Sequence, residues 1–194
     1  HGERSLLIAV ACNERTIARS TAVSYGELCY RAGQLNDRNS HGFKKIDLAW
    51  EWRYVSVADL RDRVALAAIE GDYSHVLFLD ADMVHQADLP EKLIAHDVPV
   101  VTARYHLKKA PFAAVAYVKH RTQTGPHRYA SVHFGRGVFE IERGGAGALL
   151  IQRSVLQAIR DRIGPNWFRY QRGPEPPHDF TVSEDFWFYQ QARE

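Results

Sequence analysis

The sequence has few cysteines, little excess charge and no long apolar run, and each shortage excludes a class of protein. Two of its 194 residues are cysteine, too few for a disulfide framework or a structural zinc site. Lysine and arginine number 25 against 23 aspartate and glutamate, a formal charge of +2, which gives no strong attraction to nucleic acid. No apolar run approaches the roughly 20 residues of a membrane-spanning helix, so we expect no membrane span.

What is present is an ordinary globular composition. Hydrophobic residues make up 45% and charged residues 25% of the chain, and this length favours one domain over residues 1–194. We expect Cys12 and Cys29 to be buried, reduced thiols. The start at His1 shows no signal-peptide pattern. Together these features predict a cytoplasmic protein.

The first half of the chain alternates short apolar runs with helical patterns. The apolar and β-branched runs predict strands at 6–10, 50–55, 76–79 and 98–102, with a loop over 36–45. Helices are predicted between the strands, the first with an apolar stripe at Ala18, Ala22, Tyr25, Cys29 and Ala32 and a stop at Gly33. Alternation of this kind is typical of an α/β fold with a mainly parallel sheet and helices on both faces.

The second half is richer in strands. Runs at 112–118, 129–134 and 138–141 have no helices between them, which predicts an antiparallel extension or sheet edge. A further strand at 148–151 precedes a helix at 155–163, and Ser183 is placed to cap a last helix that reaches about Arg193. Aromatic residues are concentrated from Trp167 to Tyr189. Core packing explains most of them, and the alternative for one or two is a platform on which a sugar ring stacks.

The most specific chemical feature is a pair of carboxylates that follows the apolar run 76–79. Asp80 and Asp82 alternate along an extended chain, so their side chains can lie on one side of a strand end. Ligands of open parallel sheets bind at the carboxyl ends of strands. Two close carboxylates repel each other and favour a divalent cation such as Mg²⁺ or Mn²⁺. The alternative is that both are turn or capping residues.

Three other segments have both a functional and a structural interpretation. Glu184 and Asp185 can supply a general base, or can simply stabilise the start of a helix. The glycine-rich loop 144–147 allows close approach to a ligand, or is a tight turn between strands. Basic residues that can neutralise phosphate, or lie on a solvated surface, are Arg61, Arg63, Arg104, His106, Lys108 and Lys109.

The order of these motifs resembles the GT-A-fold glycosyltransferases of the family-2-like group, which includes bacterial and phage-type members. The resemblance depends on Leu79-Asp80-Ala81-Asp82-Met83, on the segment 144–151 and on Ser183-Glu184-Asp185 followed by Phe-Trp-Phe. The segment 60–64 also resembles the group's pattern, although the group more often has Asn where Asp62 stands. The resemblance covers most of the chain, from about Leu6 to Arg193.

The resemblance implies a UDP- or GDP-linked sugar donor, a divalent metal and an acceptor hydroxyl whose owner it does not specify. It assigns nucleotide binding to about 5–104 and the acceptor side to about 105–194. Asp82 becomes the main metal ligand, helped by Asp80, and Asp185 becomes the base of an inverting transfer, with Glu184 beside it. The residues assigned to the donor are Ala11, Asn13, Glu14, Arg61, Asp80, Gly145, Ala146 and Gly147.

Two other functions remain open at this point. The run Asp80-Ala81-Asp82-Met83-Val84 also fits the signature of a haloacid-dehalogenase-type phosphatase, in which Asp80 would become phosphorylated. In that group the motif usually follows the first strand, whereas here two β-α units precede it. The second alternative is a sugar-nucleotide-binding domain without turnover.

Overall fold

The computed structural model describes residues 4–12, 17–37, 42–52, 55–119, 129–132, 135, 137–172 and 181–194. They divide into two compact units: the first is His1–Thr102 with Ala146–Trp167, and the second is Ala103–Gly145 with Phe168–Glu194. The helices are α1 Arg19–Asp37, α2 Val57–Glu70, α3 Leu89–Ile94, α4 Arg153–Ile163 and α5 Glu184–Arg193. The strands are β1 Arg4–Cys12, β2 Phe43–Trp52, β3 His75–Asp80, β4 Val100–Thr102, β5 Ala116–Lys119, β6 Tyr129–Ser131, β7 Arg143–Gly144, β8 Ala148–Gln152, β9 Gln171–Arg172 and β10 Thr181–Val182.

The first unit contains a five-stranded mixed sheet in the order β2-β1-β3-β8-β4. β1 pairs in parallel with β2 and β3, whereas β8 is antiparallel to both β3 and β4. The prediction of an α/β fold is confirmed. Parallel pairing is limited to β2, β1 and β3 at one end of the sheet, because β8 runs opposite to both of its neighbours. β8 can be reversed because an antiparallel neighbour needs no crossover helix, whereas a parallel one does.

The core of this unit lies on the three central strands. Leu6 to Cys12 of β1, His75 to Leu79 of β3 and Ala148 to Ile151 of β8 are buried at every position. Since successive side chains of a strand point to opposite faces, burial at every position means that both faces of these strands are covered. This burial confirms the strand interpretation of the run 76–79.

Two early boundaries differ from the prediction. α1 reaches Asp37 and β2 begins at Phe43, so both ends of the predicted loop over 36–45 and the strand start at 50 are wrong, while 38–41 lie outside the described residues. β2 lies at the edge of the sheet. Charged residues at an edge lose less hydration on folding, so the strand can contain Lys44, Lys45 and Asp47, which are more typical of a loop. α1 continues past Gly33 to Asp37.

The buried face of α1 also differs from the predicted stripe. It consists of Thr21, Ser24, Tyr25, Leu28, Ala32 and Leu35. Cys29 lies outside this face and is exposed, which contradicts its predicted burial, whereas Cys12 is buried as expected. The small residues Ala18 and Ala22 carry too little apolar surface to decide which side of a helix is buried.

The second unit contains a three-stranded sheet, β6-β5-β7, and a β9-β10 pair, all antiparallel. The antiparallel character of this half is confirmed, although 138–141 lies outside any strand. The rings of Phe168 and Phe188 stack with centroids 5.0 Å apart, and those of Tyr117 and Phe186 meet edge to face at 5.1 Å. These aromatic residues of the region therefore contribute to packing, as predicted.

Helices long and apolar enough to cross a bilayer are absent from the part of the chain that the structure describes.

Candidate functional site

Asp80 is the last residue of β3, and two neighbouring segments of the first unit lie beside its backbone. In the β1–β3 register it lies opposite Ala11. Its N–H donates to the carbonyl of Gly147 over 3.1 Å. That contact follows from the reversal of β8, because the start of an antiparallel strand lies at the carboxyl end of its neighbour. The predicted site residues Ala11, Asp80 and Gly147 are thereby brought together.

The carbonyl of Asp80 is held from the side of α1. The Tyr25 hydroxyl donates to it over 2.5 Å, and His85 Nε2 lies 3.5 Å from the same oxygen. Burial and the nearby Asp80 and Asp82 raise the pKa of Tyr25 above its ordinary value, so the phenol keeps its proton. Burial lowers the pKa of His85, which favours the neutral ring. Both side chains therefore fix the peptide without adding charge.

The carboxylate of Asp80 is held by Arg61 of α2. The guanidinium Nη2 lies 2.7 Å from Oδ1, and the Arg61 side chain is 3% exposed against 30% for Asp80. Arg61 is buried because it shares one face of α2 with Val64, Ala65 and Ala68, at i+3, i+4 and i+7. The same spacing in the sequence could have predicted that Arg61 is buried. A buried arginine on an apolar helix face in turn requires an acidic partner.

Asp82 differs from Asp80 in its surroundings. It lies two residues beyond β3, in the turn that follows the strand, and it is exposed. Across the described ranges, no group of three or more His, Cys, Asp and Glu side chains is placed to hold a metal ion. Two carboxylates do suit Mg²⁺ and Mn²⁺, which are commonly held by one or two carboxylates together with waters and substrate phosphates. Asp82 is the one of the pair accessible for such binding.

The glycine-rich segment connects β7 to β8, and all four of its residues are buried. Gly144 belongs to the second unit, where an added Cβ would lie 2.7 Å from the Tyr189 hydroxyl. At Gly145 an added Cβ would overlap the Tyr105 hydroxyl. Close packing of two tyrosines thus explains both glycines in structural terms, and Gly147 contributes the carbonyl that binds Asp80.

We predict that Gly145→Ala destabilises the protein by about 1–3 kcal/mol, the usual cost of overpacking a buried site. Tyr105 must move, because its ring carbon as well as its hydroxyl lies within 3.0 Å of the new Cβ. Urea unfolding of Gly145→Ala, Tyr105→Ala and the double variant forms the test. If close packing is the cause, Gly145→Ala lowers the free energy of unfolding much less in the Tyr105→Ala background than in the parent. An equal loss in both backgrounds would contradict this explanation.

The two carboxylates at the start of α5 also differ from each other. Ser183 caps this helix by accepting a hydrogen bond from the N–H of Phe186 over 3.3 Å, as predicted. Glu184 is buried, at 8% exposed, whereas Asp185 is half-buried. Asp185 is therefore the more accessible of the two acids. The next residue, Phe186, contacts the buried Arg143, whose guanidinium lies 5.1 Å from the centre of the phenylalanine ring.

The remaining predicted donor and catalytic residues belong to different units or lie outside the described residues. Ala146 belongs to the first unit and is fully buried. Asn13 and Glu14 lie outside the described residues. Glu184, Asp185 and Gly145 belong to the second unit. Tyr25 and His85 are contacts of Asp80 that the sequence analysis missed, because each acts on a backbone carbonyl from a distant part of the fold.

Comparison with solved structures shows a shared fold. The crystal structure of A197 from STIV matches with a TM-score of 0.52 and 18% identity over 98% of this chain and 78% of that chain. A glycosyltransferase involved in the glycosylation of the major capsid of PBCV-1 matches with a TM-score of 0.32 and 12% identity, over 84% and 68% of the two chains. That second likeness is too low to support an argument about function. No family model and no curated protein matches the sequence.

Proposed function

We propose that this protein is a glycosyltransferase that moves a sugar from a nucleotide-diphospho-sugar to an acceptor hydroxyl. The proposal includes one working domain over 1–194, with the donor bound by about 5–104 and the acceptor by about 105–194. It also includes a cytoplasmic site of action, which the small number of cysteines favours. The function is supported by the resemblance of the motifs to GT-A-fold enzymes and, above all, by the unequal environments of Asp80 and Asp82.

The contacts of Asp80 suit a residue that fixes the geometry of a site. Its N–H, its carbonyl and one carboxylate oxygen are all engaged, by Gly147, Tyr25 and Arg61. Such anchoring sets the direction in which the chain leaves β3 and so positions Asp82 at the carboxyl end of the strand, where ligands of α/β sheets bind. In the proposal Asp82 is the main metal ligand and Asp80 supports the ribose or the waters around the metal.

The reaction breaks a sugar–phosphate bond and leaves negative charge on the departing diphosphate. Bound Mn²⁺ or Mg²⁺ would supply Lewis-acid stabilisation of that charge, with Asp82 as its protein ligand. Arg61 is paired with Asp80 and orients the anchoring carboxylate. Asp185 is the proposed base that accepts the proton of the attacking hydroxyl, and its accessibility favours it over the buried Glu184.

The decisive experiment is calorimetry of UDP and GDP binding in Mn²⁺ and in EDTA. We expect the parent to bind one of the nucleotides only with metal, and Asp82→Ala to weaken binding by about 100-fold, at the upper end of losses reported for groups that support a metal. Asp88→Ala removes an exposed carboxylate of the same unit and should bind like the parent. Equal affinity of parent and Asp82→Ala in Mn²⁺, together with indifference to EDTA, would overturn the metal-dependent donor site.

A further inference from the structure

The second unit carries a short hairpin that contains none of the donor, metal or base residues proposed above. Its arms are joined by hydrogen bonds from the N–H of Leu107 to the carbonyl of Ala113 and from the N–H of Val115 to that of Tyr105, each 2.9 Å long. A bridge between His106 and Ala114 lies between them. The N–H of Phe112 closes the tip by donating to the carbonyl of Lys109 over 2.9 Å. The tip is therefore a built β-turn and not a loose loop.

Large apolar side chains project from this tip into solvent. Every residue from 106 to 112 is exposed, and Leu107 and Phe112 are 45% and 58% exposed. Phe112 also has a φ of +55°, a left-handed conformation that is strained for an aromatic residue. A strained, exposed phenylalanine contributes little to folding, so its position at the tip calls for a function outside the fold.

The same tip is basic. Lys108 and Lys109 are exposed at the turn. Arg104 and His106 lie two residues apart in the segment that leads to the turn. No acidic residue occurs between positions 98 and 139, so the segment has a positive charge that the nearly neutral chain as a whole lacks. Cationic side chains beside exposed apolar ones complement a surface with anionic headgroups above an apolar interior.

We propose that this hairpin tip docks the protein on the surface of a bilayer that contains anionic lipid. Phe112 and Leu107 enter the boundary between headgroups and acyl chains, and Lys108 and Lys109 remain at the level of the headgroup phosphates. A single-stranded nucleic acid would use the same lysines, but it would stack on one aromatic face and leave the aliphatic Leu107 unexplained. The inference does not depend on the proposed donor, metal or base residues, because none of them lies in this hairpin.

The test is flotation of the purified chain with vesicles of phosphatidylcholine, with and without phosphatidylserine. We expect the parent to bind only the anionic vesicles, with binding that weakens as salt is added. Phe112→Asn removes the ring and suits the positive φ, so it should fold normally and partition at least about 10-fold less. Joint replacement of Lys108 and Lys109 by alanine should reduce partition about 30-fold.

Matched control variants distinguish vesicle binding by the hairpin tip from non-specific binding through other exposed aromatic or basic residues. Tyr30→Ser removes an aromatic side chain that is 72% exposed on α1, and Lys44→Ala removes an exposed lysine of β2; both should float like the parent. Parent protein that fails to float with phosphatidylserine vesicles would overturn the proposal, as would tip variants that float normally. Loss of binding to single-stranded oligonucleotide by the lysine variant, without vesicle binding by the parent, would instead assign the tip to nucleic acid.

Discussion

Asp80→Ala is expected to lower the free energy of unfolding by about 3 kcal/mol, whereas Asp82→Ala should leave it almost unchanged. The Arg61 guanidinium is 3% exposed and pairs with Asp80 over 2.7 Å. Removing the carboxylate leaves a buried charge without this compensation, which typically costs about 3–5 kcal/mol. The lower end applies because Asp80 is 30% exposed and water can reach the vacated position. Asp82 is exposed, and substitutions of exposed residues usually change stability little.

Urea unfolding of the two single variants measures this difference directly. A double variant, Asp80→Ala with Arg61→Met, supplies the internal control, because replacing both partners of a buried pair by apolar groups is often neutral. We expect the double variant to be more stable than Asp80→Ala alone. Equal stability of Asp80→Ala and Asp82→Ala would show that the pair contributes nothing, and the anchoring role of Asp80 would then be wrong.

The pairing of Asp80 also bears on the phosphatase alternative. A nucleophilic aspartate needs a carboxylate oxygen that can approach phosphorus, whereas Oδ1 of Asp80 is held by a buried guanidinium. This contact supports a positional role for Asp80 through Oδ1.

Features encoded by neighbouring residues could be predicted from the sequence. The apolar run 76–79 predicts a buried strand, and the two carboxylates directly follow that strand in the sequence. Ser183 caps α5 as predicted, and Ser56 caps α2 in the same way, because a capping hydrogen bond joins residues only three positions apart. These local rules were sufficient to find the candidate site on the chain.

Features that depend on distant partners could not be predicted in the same way. The strand of residues 148–151 was expected, but its reversal between β3 and β4 depends on pairing across the sheet. That reversal brings Gly147 to Asp80. Likewise the apolar stripe of α2 does not identify Asp80 as the acidic partner of Arg61, and Tyr25 donates to Asp80 from 55 positions away. The supports of the site are therefore non-local, although its reactive groups are local.

Asp185→Asn is expected to lower glycosyl transfer by about 100-fold or more, the scale on which loss of a general base is felt. Asparagine keeps the size of the side chain and its hydrogen-bonding oxygen, but it cannot accept a proton. The helix should remain intact, because Ser183 and not Asp185 provides the cap of α5. Donor binding should also be unchanged, since in the proposal Asp185 acts on the acceptor hydroxyl alone.

The comparison with Glu184 decides between a base and a stabilised helix start. Both acids lie in the first turn of α5, where the helix dipole favours negative charge by about 0.3–1 kcal/mol each. A purely structural role therefore predicts that Asp185→Asn and Glu184→Gln each lower the melting temperature slightly and leave transfer unaffected. A catalytic role predicts a large loss of transfer for Asp185→Asn with nucleotide affinity and melting temperature retained, measured on the same preparations. If Asp185→Asn retains transfer and Glu184→Gln loses it, the buried carboxylate of Glu184 is the base. The exposed fraction of Glu184 must then increase when the acceptor binds.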